Sequence, residues 1–199
     1  MLASILKSRM IPLVMGFQSR TADQTRKVSA RSDFRSAMGL AVTGVNIVTT
    51  DGPKGRYGLT VSAVSSVSAE PPMLLVCVNQ KNVACSAIAA NGSFAVNVLA
   101  TDQQSAAETF SGSEAHGDAY TFNNEDWTTA VTKSPVLKRA VATFDCKIEA
   151  IMPAATHTIF VGRVQATRAH PGTPLLYTRR SYGRPLHPGT KTVLEQFCA

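Results

Sequence analysis

Strand signals follow one another along this chain with turns, and only rarely helices, between them. GVNIVTTDG (44–52) alternates and ends on an Asp51-Gly52 turn, and GLTVSAVSSVS (58–68) follows after a short loop, as a hairpin requires. MLLVCVN (73–79) is a continuous apolar run and reads as a strand buried on both faces. SFAVNVLA (93–100), VATFDCKIEAIM (141–152), TIFVGRVQATRAH (158–170) and PLLYTRRSY (174–182) complete the set. A doubly wound fold needs a crossover helix between successive strands, and most of these segments lack the residues for one. The expected fold is mainly β, an antiparallel barrel with a few peripheral helices. Helices are expected at SDFRSAMGLAV (32–42), at NVACSAIAANG (82–92), with Asn82 as cap and Gly92 as stop, and at TDQQSAAETFSG (101–112).

The segment from Gly58 to Pro72, GLTVSAVSSVSAEPP, has an unusual face. Thr60, Ser62, Ser66 and Ser68 alternate with Leu59, Val61, Ala63 and Val67, so one side of the strand carries small hydroxyls. Small hydroxyls let something large and polar lie flat against a strand; their other use is to pair across strands or at a subunit interface. Straight, residues 59–68 would span roughly 33 Å. A strand that long bends or carries a bulge, and Ser65-Ser66 is the expected place.

Just downstream, VCVNQKNVACS (76–86) runs from a strand through Asn79, Gln80, Lys81 and Asn82 into a helix start, with Ser86 one turn on. A helix N-terminus favours anions. Alone, this corner reads as an ordinary Asn-capped loop. Beside the hydroxyl-lined strand, it suits a planar cofactor carrying phosphate. His157 begins a strand, and reads either as a contact to a second substrate or as a half-buried strand-end histidine, the latter being expected from the residue alone. His116, His170 and His187 are scattered in loops and receive no role. No nucleophilic triad, paired carboxylates, glycine-rich dinucleotide fingerprint or Walker pattern is present.

Charge excludes one class. The net charge is +7, but residues 1–31 hold six basic residues and one acid, and the rest of the chain 14 basic and 12 acidic. The body is near neutral, so a basic nucleic-acid face is not expected. The basic, acid-poor start reads as a disordered extension or as a targeting or membrane-surface segment, the former being expected. Cys77, Cys85, Cys146 and Cys198 form no C-x-x-C pattern and have no neighbouring histidines. Neither a metal site nor a disulfide framework is expected, and free thiols fit a cytoplasmic setting. No apolar run is long enough to cross a membrane as a helix.

The stretch FRSAMGLAVTGVNIVTTDGPKGRYGLTVSAVSSVSAEPPMLLVCVNQ strongly resembles the short-chain flavin reductase family. These are the reductase components of two-component flavin monooxygenases, with the 4-hydroxyphenylacetate 3-monooxygenase reductase and the pyrimidine-degradation flavin reductase among them. The resemblance continues through FAVNVLA, ETFSG, ATFDCKI, ATHTIFVGRV and PLLYTRRSY, from about residue 33 to 183. It implies a Greek-key split β-barrel, a homodimer with FMN or FAD at the subunit boundary, and NADH, or else NADPH, as co-substrate. It also implies a partner monooxygenase that receives the reduced flavin. The family positions matching Thr60, Val61, Ser62, Ala63 and Val64 run along the flavin ring, and those matching Ser66 and Val67 continue the contact. Those matching Lys81, Asn82 and Val83 hold the phosphate region. Asn79, Ser86 and Phe110, the last in the family's F-x-G, complete the implied cofactor set; His157 and Tyr182 are implied on the nicotinamide side. Alternatives are a flavin-dependent reductase of another acceptor, such as a cobalt corrinoid, or a non-catalytic flavin binder. The implied division is an extension (1–31), a reductase domain (32–185) and a tail (186–199).

There is one departure. Many members carry Gly-Asp-His, and close relatives Gly-Thr-His, where this chain has Ala155-Thr156-His157. If that glycine is left-handed, or lets the pyridine nucleotide approach closely, Ala155 would hinder it.

Overall fold

The computed structural model describes residues 24–186 except 116 and 124, and side chains from residue 31 onward. The positions His116, His187 and Cys198, and most of the N-terminal segment and C-terminal tail, lie outside the described residues. The chain divides into two units at Met38. The first contains helix α1 (Gln24–Met38), which starts earlier than its sequence signal and ends before Gly39. QTRKVSAR contains neither Gly nor Pro and so extends the helix toward the N-terminus.

Among its described residues, the second unit holds twelve strands and two further α-helices. β1 (Thr43–Gly44), β2 (Asn46–Thr50) and β3 (Tyr57–Val61) are followed by β4 (Val64–Ala69) and β5 (Pro72–Asn79). Helix α2 (Val83–Asn91) leads to β6 (Ser93–Val98), and a 3-10 turn (Thr101–Gln103) leads to helix α3 (Gln104–Phe110). Then come β7 (Trp127–Thr129), β8 (Pro135–Leu137), β9 (Ala142–Ala154), β10 (His157–Ala169), β11 (Leu176–Thr178) and β12 (Ser181–Gly183). Seven strands form one antiparallel sheet in the order β3-β2-β6-β9-β10-β5-β4; β1-β11-β12 and β7-β8 form two smaller ones.

The two outermost strands of the large sheet, β3 and β4, are separated in sequence by Ser62 and Ala63 alone. The sheet must therefore curl until its two edge strands meet at that link. The amide of Cys77 on β5 donates to Ala63 O at 3.1 Å and fixes the link in place. The interior is filled by Val48, Val76, Val78, Phe94, Val96 and Phe160, with Ile88 of α2. A second apolar cluster, around Ile47, Leu99, Phe110, Trp127 and Leu175, lies on the other side of β2. Because Ile47 and Val48 serve different clusters, β2 is buried on both faces.

Three expectations are corrected, and one hairpin was not foreseen. The long strand does not bend at Ser65-Ser66: it breaks at Ser62-Ala63, and the bulge falls between Ser66 and Ser68. A two-residue break is what the curl demands, since β3 and β4 must leave in directions set by different neighbours, β2 and β5. β5 is not buried on both faces: Leu74, Val76 and Val78 enter the core while Met73, Leu75 and Cys77 are half-buried. PLLYTRRSY is a hairpin, β11–β12, turned by Arg179 and Arg180 at φ 51° and 62°. Neither residue type signals a left-handed turn. The hairpin β7–β8 has no counterpart in the sequence reading. It is held by Asp145, 1% exposed, which accepts hydrogen bonds from the Thr132 amide at 2.7 Å and from the Thr132 hydroxyl.

Helix α2 forms as its caps predict. Asn82 Oδ1 accepts from Ala84 N at 2.9 Å, and Gly92, at φ 72°, donates its N–H to Ile88 O.

Candidate functional site

The seam where the sheet edges meet opens into a cavity of about 330 Å³. Its floor is β3 and the link after it: Leu59, Thr60, Val61, Ser62 and Ala63. Cys77 and Asn79 of β5 and Asn82, the cap of α2, form one wall. Phe110 and Ser111, at the end of α3, form the other with Tyr120, and His157 stands at the start of β10. A second cavity of about 370 Å³ shares Asn82 and Tyr120 with the first and is lined by Arg56, Tyr57, Gly58, Lys81 and Val83. Together they form a two-part site: one part with short side chains and aromatic walls, the other lined by Lys81, just before α2, and by Arg56, whose Nε donates to Asp51 Oδ2 at 2.8 Å.

Local bonds hold this shape. Asn79 Oδ1 accepts from Lys81 N at 2.9 Å, and Asn82 N donates to Asn79 O at 3.0 Å, which turns the chain sharply into α2. Gln80 ties this corner to the β9–β10 turn: its amide donates to Thr156 O at 3.0 Å and its Nε2 to His157 O at 2.9 Å. Thr156 Oγ1 lies 2.9 Å from His157 Nδ1. Thr60 spends its hydroxyl on Ala107 O at 2.7 Å, which fastens α3 to β3 and leaves that oxygen unable to donate to a ligand. The Ser86 hydroxyl likewise donates to Val83 O at 3.0 Å.

The structure thus brings together Thr60, Val61, Ser62, Ala63, Asn79, Asn82, Phe110 and His157 around one cavity, and Lys81 and Val83 around its neighbour. Five residues stand apart from both linings. Val64 packs against the first core cluster. Ser66 and Ser86 are exposed, as is Val67 at 47%. Tyr182 does not line either cavity; it packs against the second cluster, with its ring 5.2 Å from that of Tyr177. Burial, then the nearby Glu108 and Tyr177, raise the Tyr182 hydroxyl above the usual tyrosine range.

Leu59, Cys77, Ser111, Tyr120, Arg56 and Tyr57 line the site without having been signalled. Cys77 is brought there by its amide's bond to Ala63 O in the link after β3. Tyr120 lies in a polar loop, and nothing in HGDAYTF points to it. Cys77, Cys85 and Cys146 are free thiols. Among the described residues no cluster of three metal-ligating side chains occurs, and no helix is long and apolar enough to cross a membrane.

A fold of this kind, with a cavity at the joined edges of a curled antiparallel sheet, defines a class that sequence comparison identifies. Residues 38–185 match the model of the flavin reductase like domain, and the chain belongs to that family. It is 40% identical over 166 residues to an FMN reductase (NADH) RutF from Stutzerimonas stutzeri, covering 83% of this chain and 94% of that relative. Among solved structures, it resembles a Streptomyces globisporus NADH:FAD oxidoreductase at 28% identity and a TM-score of 0.71, covering 85% of this chain and 99% of the other. It also resembles the styrene monooxygenase flavin reductase of Pseudomonas putida at 28% identity and a TM-score of 0.67, covering 78% and 99%.

Proposed function

We propose that this protein is an NADH-dependent flavin reductase that hands reduced flavin to a partner monooxygenase. The observation that carries the reading is the two-part site, a ring-sized cavity opening beside a cationic one, in a chain of the flavin reductase family. FMN is the first substrate to test, because the relative at 40% identity is named an FMN reductase (NADH). The residues fit such a ligand. Ser62 and Ala63 are small enough to leave room for a planar ring, and Phe110 and Tyr120 offer aromatic walls. Lys81 and Arg56 beside the N-terminus of α2 suit a phosphate.

When bound, the flavin and the nicotinamide themselves carry the hydride chemistry. The chain's own task is to bind, orient and exclude water. The backbone of Val61, Ser62 and Ala63 supports one edge of the ring site. Lys81, Asn82 and Val83 anchor the phosphate end, with Asn79 shaping their turn. His157, fixed through Gln80 and Thr156, faces the side from which the nicotinamide enters. This assignment explains why the sequence has no triad or carboxylate pair.

We read the curled sheet as the split barrel of Greek-key type, since its edge strands are joined by two residues. We read the protein as a homodimer. Directly paired residues of an antiparallel sheet share a face, so Cys77, Ile159 and Met152 form one outward row and Leu75, Val161 and Ala150 the next. Met152 is 46% exposed. A second copy would cover these rows and bring Ser66, Val67 and Tyr182 of one subunit toward the site of the other. Residues 32–185 form the reductase domain, with 1–31 an extension and 186–199 a tail, in a cytoplasmic protein. The test is NADH oxidation, followed by absorbance, with FMN, FAD and riboflavin in turn. Turnover with FMN above riboflavin is expected, and no turnover with any flavin overturns the reading.

A further inference from the structure

Phe110, the last residue of α3, lines two cavities at once: the seam cavity, and a third cavity of about 320 Å³ bounded by Ser105, Asp118, Trp127 and Leu137. Its ring is the partition between them. Two flanks of that ring are occupied. Phe122 meets it edge-on at 4.8 Å between centroids and Trp127 at 5.4 Å, and these two rings are 4.9 Å apart. Phe122 is backed in turn by the Arg56 guanidinium, 5.7 Å from its centroid. On the side of β3, the ring meets the backbone of buried Gly58. A Cβ there would stand 2.6 Å from Phe110 Cε1, 2.8 Å from Cδ1 and 3.1 Å from Phe122 Cζ.

We infer that Gly58 is a positioning residue for the flavin site: by lacking a side chain it sets where the Phe110 partition stands, and so the width of the ring cavity. The inference rests on the proposal that the seam cavity holds the flavin. Contacts under 3 Å cannot persist, so any side chain at position 58 must move the ring. Phe122 and Trp127 close its flanks, and the open directions are the two cavities. Movement one way fills the ring cavity; movement the other way withdraws its wall. Either loses affinity for a planar ligand. Gly58 is absent from the lining of the ring cavity and borders the neighbouring one, and a side chain there presses on Phe110 first and on Phe122 next.

The test is a double-mutant cycle on the full chain: unaltered, Gly58→Ala, Phe110→Leu, and both together. Trp127 is the only tryptophan in the chain, so its emission reports the aromatic trio without flavin, and its quenching on titration with FMN gives the dissociation constant. Gly58→Ala is expected to shift Trp127 emission and to weaken FMN binding about tenfold or more. KM for FMN should rise more than kcat falls. In the Phe110→Leu background, where the far edge of the ring is gone, the same change should cost less than about threefold. Equal losses in both backgrounds, or an unchanged dissociation constant in Gly58→Ala, overturn the inference while the functional proposal stands. Failure of FMN to bind the unaltered chain overturns both. If Gly58→Ala alone does not fold, recovery of folded protein on adding Phe110→Leu supports the coupling, and continued failure refutes it.

Discussion

Ala155 stands where the family resemblance implies a glycine, and its backbone carries the consequence. Ala154 pairs with His157, so Ala155 and Thr156 form a two-residue turn between β9 and β10. Ala155 is exposed and sits at φ 51°, in the left-handed region. A two-residue hairpin turn with positive φ at its first position favours glycine there. An L-residue in that conformation costs about 1–2 kcal/mol. Ala155→Gly removes this cost, and the freer unfolded chain takes back about 0.4–1 kcal/mol. No buried contact is lost, because the methyl group is exposed. The net expectation is a protein about 0.5–1 kcal/mol more stable, which for this chain length raises the melting temperature by about 1–4 °C. Ala155→Val should move the other way by about 1 kcal/mol or more, since a β-branched residue tolerates positive φ poorly. Urea unfolding and thermal melts of the three proteins check both signs. A glycine variant no more stable than the parent refutes the strained turn. Gln80 holds Thr156 O and His157 O whatever stands at 155, so KM for NADH should change little in the glycine variant.

Lys81→Met should raise KM for FMN roughly tenfold, the worth of one charge-assisted contact, and leave riboflavin nearly untouched; steady-state kinetics with both flavins decide it. Asp145→Ala strands the Thr132 amide, leaves the Thr132 hydroxyl only its Ser134 partner, and should cost about 1–3 kcal/mol in urea unfolding; a loss below about 0.5 kcal/mol would deny that this carboxylate anchors the β7–β8 hairpin. Burial, helped by the charge of Asp145, pushes the Cys146 thiol from 9.0 up to about 12. The folded state therefore holds that proton where the unfolded chain releases it. The stabilisation is complete below pH 9 and is lost as pH rises toward 12, so the urea midpoint should fall across that window and fall less in Cys146→Ala.

The sequence by itself determined the elements whose cause is local. Helix α2 was legible to the residue, because Asn82 and Gly92 act on their own neighbours in the chain. The antiparallel class was legible because alternation and short turns leave no room for crossover helices. Of the row of small hydroxyls read from the sequence, Thr60 and Ser62 line the candidate cavity while Ser66 and Ser68 do not, and Lys81 and Asn82 before a helix line its neighbour. Tertiary structure decided what those groups do. Thr60 carries one of the hydroxyls in that row, but α3 claims it, a partner 47 residues away. The strand breaks at Ser62-Ala63, not at the next pair of small residues, because the closing of the sheet's two edges sets the position. Tyr120 and Arg56 enter the site from loops whose sequence is merely polar, and Arg179 and Arg180 turn a hairpin against their own preference. Local patterns specify elements through neighbours in the chain, whereas a cavity is made by residues far apart in sequence. Only the curl of the sheet brings β3, β5, α2, α3 and β10 to one seam.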